Sequence, residues 1–275
     1  MSQHIFLSPH LDDVALSCGG TVARLVAEQA QVKVINIFAG SPDPAEPISE
    51  FAHYQHTMWG NPQSAYETRR AEDAAAMACF GLEPIWLDFL DCIYRGQPKE
   101  NHWYYTSDPD IFGEVNPAEY ESALTIVTTI LDQVDSSSSQ PNFYAPLTVG
   151  HHVDHQLTFL TALHLQQRGN PVYFYEDYPY ADRDERYLPE ALETTTPTLL
   201  RLVDYSSKAA GHGRWQSEIM PFSAQQLEVK IRAIAAYATQ LNVLFGGREA
   251  MAERVTAYAY HIGQNMPAER FWRLP

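Results

Sequence analysis

The stretch HIFLSPHLDDVALSCGGTVARLVAEQAQVKVINIF, residues 4–38, decides the fold, because it joins two β-rich runs through a helical one. Residues 4–8 and 33–38 are apolar and β-rich, which is typical of buried strands. Residues 19–30 carry apolar side chains at helical spacing. The stretch therefore predicts a strand, a helix and a second strand in succession.

The same alternation continues along the chain. The further predicted strands are residues 85–90, 142–145 and 172–176, and the helices between them are residues 69–80, 117–134 and 152–168. Strands that alternate with helices indicate an α/β fold, with a doubly wound, mostly parallel sheet and helices on both faces. We expect one domain over residues 1–275. Its C-terminal third, about 178–275, is expected to be loop-rich and helical, with helices over 224–244 and 249–261.

Composition excludes several classes of protein. The 275 residues include 18 Lys+Arg and 34 Asp+Glu, for a net charge of −16, and 45% are hydrophobic. This apolar content suffices for a compact core, while the scattered basic residues argue against nucleic acid and anionic membranes as partners. No apolar run is long enough for a membrane span, and the N-terminal residues lack a signal-peptide pattern. Three widely spaced cysteines suit a reducing compartment, so we expect a soluble, cytoplasmic protein, compatible with a homo-oligomer.

Two polar motifs directly follow predicted strands. SPHLDD, residues 8–13, follows the first strand, and GHHVDH, residues 150–155, comes shortly after the strand at 142–145. In open α/β sheets, ligands bind beyond the carboxyl ends of the strands. We therefore expect both motifs to contribute to one site.

The residue types in these motifs suit a catalytic metal. His10 offers an imidazole and Asp12 and Asp13 two carboxylates within four residues, and His152 and His155 are spaced so that both rings point to one side of a helix. Asp154 is close enough to accept the second N–H of a histidine ligand. The alternative is that the first motif caps a helix and the second is a solvated polar turn.

The two motifs resemble those of the PIG-L/LmbE-like zinc N-deacetylases. SPHLDD is similar to the first motif of that family and HVDH to the second, and the helix beginning RRAE at residues 69–72 resembles a further family segment. The similarity covers roughly the first 165 residues. It implies a Rossmann-like fold and the hydrolysis of an N-acetyl group, typically on N-acetylglucosamine.

The resemblance also implies roles for individual residues. The zinc ligands would be His10, Asp13 and His155, with one Zn²⁺ per chain. Asp12 would be the general base. His152 would stabilise or protonate the intermediate, with Asp154 as its partner.

Two further residues are candidates for contact with the substrate. Asp91 follows the third predicted strand, where the family usually has a substrate-contacting aspartate. Arg69 could bind sugar hydroxyls, although an ion pair with Glu72 or Asp73 on the helix surface would suit it as well. In this chain Gly150 and His151 stand where some members carry Tyr–Gly, which removes a tyrosine that could assist the oxyanion.

The expected function is zinc-dependent removal of an N-acetyl group from a small amino-sugar conjugate containing N-acetylglucosamine. Two alternatives stay open. One is a metal-dependent amidase or esterase acting on another small acyl substrate, because an activated water attacks either bond. The other is a non-catalytic metal-binding protein of the same fold. Asp12, a carboxylate that the metal does not need, argues against this second alternative.

Overall fold

A seven-stranded mixed sheet forms the centre of the protein. The computed structural model describes residues 2–60, 65–135, 140–203 and 215–274. The strands of the sheet are β1 (Gln3–Ser8), β2 (Gln31–Asn36), β3 (Ile85–Trp86), β6 (Asn142–Pro146), β7 (Val172–Tyr175), β8 (Gln216–Pro221) and β9 (Ala268–Arg273). A separate two-stranded ribbon consists of β4 (Gly96–Gln97) and β5 (His102–Trp103).

The order across the sheet is β3-β2-β1-β6-β7-β9-β8. The first five of these strands are parallel to one another, and β9 runs antiparallel to both β7 and β8. The chain winds outward from β1 to β3 on one side and from β6 to β7 on the other. The winding direction therefore reverses between β1 and β6.

Helices cover both faces of the sheet. The longer helices are α1 (Asp13–Ala27), α2 (Glu50–Met58), α3 (Ala65–Phe80), α5 (Ser122–Asp132), α6 (Val153–Gln167), α10 (Ala224–Ile234), α11 (Ala238–Phe245) and α12 (Arg248–Gly263). The shorter ones are α4 (Asp108–Ile111), α7 (Tyr180–Arg183), α8 (Tyr187–Glu190) and α9 (Thr196–Leu202). In the described ranges, no helix has both the length and the apolar character needed to cross a membrane.

The side chains of β1 alternate between two cores. Ile5 and Leu7 belong to the core that contains α5 and α6, and Phe6 belongs to the core that contains α1, α3, α10 and α12. The sequence of a strand that is buried on both faces is typically a continuous apolar run, and residues 4–8 are largely of this kind. The predicted α/β fold with helices on both faces is confirmed.

Several predicted boundaries are wrong. The first helix begins at Asp13 instead of residue 19, and the third strand ends at Trp86. The helix predicted over 117–134 is a 3₁₀ turn followed by α5, and the one predicted over 224–244 is broken into α10 and α11. Strands β8 and β9 were not predicted at all, and part of the loop-rich segment, residues 204–214, lies outside the described residues.

Two glycines within α1 allow neighbouring side chains to approach its backbone. A Cβ atom on Gly20 would lie 2.3 Å from the ring of Phe222, and one on Gly19 would lie 2.8 Å from Lys230. Lys230 in turn forms a buried ion pair with Glu269, 2.7 Å long, and the Glu269 carboxylate accepts hydrogen bonds from the backbone N–H groups of Gly20 and Thr21. Because these glycines lack side chains, α1 can pack closely against α10 and β9.

Candidate active site

The candidate active site lies at the carboxyl ends of β1 and β6, where the winding of the sheet reverses. His10 belongs to the loop between β1 and α1, and His152 caps the N-terminus of α6. The centroid of the His10 ring lies 4.8 Å from that of the His152 ring and 5.4 Å from that of the His155 ring. The fold thus brings the two motifs together, as expected for ligand sites at such a reversal.

One carboxylate oxygen of Asp13 lies between two imidazole nitrogens. Asp13 Oδ2 is 3.2 Å from His10 Nδ1 and 3.3 Å from His155 Nε2. Ligand atoms bound to tetrahedral zinc at about 2.0–2.1 Å lie about 3.3 Å apart, so these spacings fit a zinc ion. Nitrogen and oxygen donors also suit zinc chemically.

Neighbouring side chains offer further donor atoms. Three sets of side chains could each hold a metal ion, because the donor atoms within each set lie within 4.8 Å of one another. The sets are His10, His152 and His155; Cys92, His152 and Asp154; and His10, Asp91 and Asp154. His10 belongs to two of them. The site is therefore a candidate metal site.

Each of the two histidines has a carboxylate at its other ring nitrogen. His10 Nε2 lies 3.0 Å from Asp154 Oδ2, and His155 Nδ1 lies 2.5 Å from Asp177 Oδ1. Histidine ligands of metals usually donate their second N–H to a carboxylate in this way, which orients the ring. Burial alone would lower the pKa of His155, but the charges of Asp13 and Asp177 and the hydrogen bonds with them together outweigh it and raise that pKa to about 9.

Both of these carboxylates are buried and held by other groups. Arg95 lies 2.6 Å from Asp154 Oδ1, and the backbone N–H of Cys92 donates to Asp154 Oδ2. Asp177 Oδ2 accepts the backbone N–H of Val149 at 2.8 Å. Burial by itself raises the pKa of Asp154, but the charge of Arg95 together with the hydrogen bond and charges of the neighbouring histidines shifts that pKa far below its usual range. Asp154 therefore stays ionised.

His152 contacts Asp154 through the backbone of that residue. The backbone N–H of Asp154 donates to His152 Nδ1 at 3.2 Å, whereas the Asp154 carboxylate faces His10 and Arg95. Burial, followed by the charge of His10, lowers the pKa of His152 well below its ordinary value. A neutral His152 that accepts at Nδ1 carries its proton on Nε2.

Asp12 stands beside the histidine–aspartate cluster and contacts Arg69. Arg69 Nη2 lies 3.4 Å from Asp12 Oδ1, and the guanidinium also lies 4.6 Å above the ring of Trp59. Burial raises the pKa of the Asp12 carboxyl, while the charge of Arg69 opposes that rise. The structure thus places Arg69 against Asp12, inside the site.

Asp91 lies near the Nε2 atom of His10. Its Oδ1 accepts the backbone N–H of Ile93 at 3.2 Å, and its Oδ2 is 3.9 Å from His10 Nε2. The side chain thereby caps the short 3₁₀ helix Cys92–Tyr94.

A cavity of about 410 Å³ opens onto these groups. The sequence-predicted site residues that line it are His10, Asp12, Asp13, Arg69, Asp91 and His152. His155 and Asp154 are buried behind this lining. The cavity volume is in the range of small-molecule sites, about 300–1,000 Å³.

Sequence reasoning did not assign a role to Asp177. This residue follows β7, the neighbour of β6, and its carboxylate reaches His155. A carboxylate directly after a parallel strand was the available signal, the same one that identified the first motif.

Gly150 allows an aromatic ring to pack beside the second motif. It has a φ of +87°, and a Cβ atom there would lie 2.6 Å from Cγ of Tyr180. The Tyr180 ring lies 6.2 Å from that of His155, measured between centroids, and lines the cavity. The tyrosine at the start of α7 therefore packs directly against Gly150.

Comparisons with known proteins find deacetylases that are similar to this chain. A 2′-N-acetylparomamine deacetylase of Niallia circulans is 28% identical to this chain over 282 residues, covering 98% of this chain and 89% of the relative. A 2′-N-acetylparomamine deacetylase of Streptomyces fradiae is 30% identical over 194 residues, covering 68% of this chain and 62% of the relative. The zinc-inhibited form of the teicoplanin deacetylase Orf2 has a similar structure, with a TM-score of 0.77, 25% identity, and coverage of 98% of this chain and 97% of that one.

The prediction of a hydrolytic N-deacetylase is confirmed by these relatives. The family described as PIG-L, GlcNAc-PI de-N-acetylase, matches residues 5–165. With both motifs inside the matched range and assembled into one site, this chain belongs to the PIG-L family.

Proposed function

We propose that this N-deacetylase binds one zinc ion through His10, Asp13 and His155 and hydrolyses the acetamide of a small conjugate of N-acetylglucosamine. The observation that carries the proposal is the position of Asp13 Oδ2, 3.2 Å and 3.3 Å from the two histidine nitrogens. A zinc ion bound there supplies a Lewis acid that polarises a carbonyl and lowers the pKa of water to about 7.

Asp12 is the general base in this proposal. It lines the cavity beside the donor atoms without being one of them, and its carboxylate is held by Arg69. Asp12 accepts a proton from the attacking water as the new C–O bond forms, and the same proton passes to the amine nitrogen as the C–N bond breaks. Arg69 is thus a positioning residue for Asp12.

His152 acts as a neutral hydrogen-bond donor to the carbonyl oxygen. Its Nδ1 already accepts the Asp154 backbone N–H, which leaves Nε2–H as the donor. A fixed donor aimed at a developing oxyanion contributes without reorganising during the reaction. Asp154 and Asp177 are positioning residues that orient His10 and His155.

The proposed substrate class rests on the relatives and on the size of the cavity. Two relatives are named as 2′-N-acetylparomamine deacetylases, and the cavity of about 410 Å³ suits one sugar ring. The net charge of −16 disfavours polyanionic conjugates. Asp91 lines the cavity, and in this proposal its carboxylate accepts hydrogen bonds from sugar hydroxyls.

The test is the release of acetate by the zinc-loaded protein. We expect acetate from the methyl glycoside of N-acetylglucosamine, and the matched glucose methyl glycoside that carries an O-acetyl group is measured beside it because an activated water attacks either bond. Acetate from the ester alone would support the esterase alternative and contradict the proposal. An Asp12→Asn variant prepared in parallel keeps the metal in this proposal and controls for contaminating deacetylases.

A further inference from the structure

Gln156 is a buried polar residue in the first turn of α6, and the proposed mechanism gives it no role. Its side chain is 2% exposed, and its Nε2 atom donates to the carbonyl oxygens of Gly113 and His151, both at 2.8 Å. The amide nitrogen carries two hydrogens, and each of them has a carbonyl oxygen as its acceptor. The side chain therefore joins two backbone segments that are distant in the chain.

One of these segments is the loop that leads into His152. Thr148 and His151 have φ values of +71° and +65°, in the left-handed region that residues other than glycine rarely adopt. Such a conformation costs energy and persists only where the surrounding structure imposes it. The His151 carbonyl belongs to the peptide group between His151 and His152. The bond from Gln156 therefore fixes the backbone from which the His152 side chain extends.

Two further contacts hold other parts of this loop. The backbone N–H of Val149 donates to Asp177 Oδ2 at 2.8 Å, and Nδ1 of the His151 ring lies 3.0 Å from Oγ1 of Thr195. Neither of these contacts engages the peptide group that precedes His152. The bond from Gln156 thus provides a support next to His152 that the other two do not supply.

The other segment carries an aromatic ring that contacts His152. Gly113 directly follows Phe112, whose ring centroid lies 5.4 Å from that of His152 with an angle of 85° between the ring planes. Edge-to-face contacts of this kind are a favoured arrangement of aromatic rings. The bond from Gln156 to the Gly113 carbonyl therefore holds the backbone beside the ring that packs on His152.

We propose that Gln156 is a positioning residue for His152. One amide group holds both the peptide group before His152 and the backbone beside Phe112, so the direction of the His152 Nε2–H depends on it. This inference rests on the proposed function, in which that N–H donates to the carbonyl oxygen of the substrate. A displacement of about 1 Å in a reacting geometry can cost about 10² in rate, so the loss of both bonds should be visible in kcat.

The variant Gln156→Met removes both N–H groups and nearly keeps the length of the side chain. We expect kcat for acetate release to fall about 10–100-fold, with KM changed less than about twofold and with zinc content unchanged. The matched control is Gln167→Met, which should leave kcat unchanged. Gln167 is an exposed residue at the end of the same helix and also donates to a backbone carbonyl, that of Val203. Loss of zinc from Gln156→Met would overturn the proposal, because Gln156 would then act through the neighbouring His155.

A double-mutant cycle tests whether the effect passes through His152. In a His152→Ala background there is no ring to position, so Gln156→Met should lower kcat further by less than about twofold. Equal factors in the two backgrounds would show a general structural effect and contradict the proposal. Melting temperatures show whether the variants are folded. If Gln156→Met does not fold, Gln156→Glu replaces it in the cycle, because it has the same shape with an oxygen in place of the amide nitrogen.

Nuclear magnetic resonance of the zinc-loaded protein tests the inference independently of catalysis. In protein with isotopically labelled histidine, the ring-nitrogen signals of His152 are those that disappear in His152→Ala. We expect these signals to shift in Gln156→Met and to stay in place in Gln167→Met. If no substrate releases acetate and the shift occurs, the proposed function fails and the positioning of His152 by Gln156 stands. Unchanged His152 signals in Gln156→Met would overturn the inference whatever the activity.

Discussion

The Nδ1 atom of His155 lies 2.5 Å from Oδ1 of Asp177, a contact between the first turn of α6 and the end of β7. The other nitrogen of the same ring faces Asp13. The imidazole is therefore held between two carboxylates, and its orientation depends on the register of two neighbouring strands.

Replacing Asp177 should weaken metal binding. Asp177→Asn keeps the shape but loses the charge that orients the His155 N–H, and such changes typically cost about 10–100-fold in metal affinity. Titration of the variant with zinc against a chelator of known affinity measures this. Asp182→Asn, an exposed residue paired with Arg254, is the matched control. Unchanged zinc affinity in Asp177→Asn would show that the contact is dispensable.

The neighbouring carboxylates Asp12 and Asp13 should respond differently to the same change. Asp12→Asn should keep the metal and lose kcat by about 10²–10⁴, the usual contribution of a general base. Asp13→Asn should lose metal affinity first, and excess zinc should restore part of its activity. Metal content and kcat of both variants decide the assignment. Zinc loss in Asp12→Asn with retention in Asp13→Asn would reverse the two roles.

His152 should tolerate glutamine better than alanine. If neutral His152 donates from Nε2, a Gln side chain can supply an N–H, whereas Ala supplies none. We expect His152→Ala to lower kcat by about 10²–10³, the range for loss of an oxyanion donor, and His152→Gln to lower it less. Both variants should keep their zinc, measured by elemental analysis. Loss of zinc in both would instead make His152 a ligand.

The buried carboxyl of Asp73 should make stability depend on pH. The Tyr237 hydroxyl lies 2.7 Å from both the carbonyl oxygen of Leu11 and Asp73 Oδ1, and its one proton can serve only one of these acceptors. A protonated Asp73 can donate to the tyrosine oxygen, so both contacts are satisfied. Burial raises the pKa of Asp73 from 3.8 to about 6.

The sign of this effect follows from proton linkage. Between pH 4 and pH 6, approximately, folded Asp73 keeps a proton that the unfolded chain releases, so the free energy of unfolding falls as the pH rises. The loss is complete above the folded pKa and amounts to about 3 kcal/mol for a shift of about two units. In Asp73→Asn, the amide can donate to Tyr237 at every pH. Urea unfolding across this range should therefore show a smaller decline in the variant, and parallel curves would contradict the prediction.

Much of the first half of the fold could be predicted because its signals are local. Strands β1 and β2 are apolar runs, and α6 directly follows the polar residues that cap it. Strand β8 escaped prediction because QSEIMP is mostly exposed and carries no apolar run, while its position at the sheet edge comes from pairing with β9. The start of α1 at Asp13 was missed because its first turn contains a polar residue that belongs to the site.

The sequence by itself determined which residue types the site contains, because both motifs are continuous and each follows a strand. Only the tertiary structure decided how they pair. The contact of His10 with Asp154 spans 144 residues, and the contact of Asp177 with His155 joins β7 to α6. Both depend on the order and register of parallel strands, and neighbouring residues along the chain do not specify that arrangement. The contact between Arg69 and Asp12 has the same origin. It directs the charge of Arg69 into the cavity and not along the surface of its own helix.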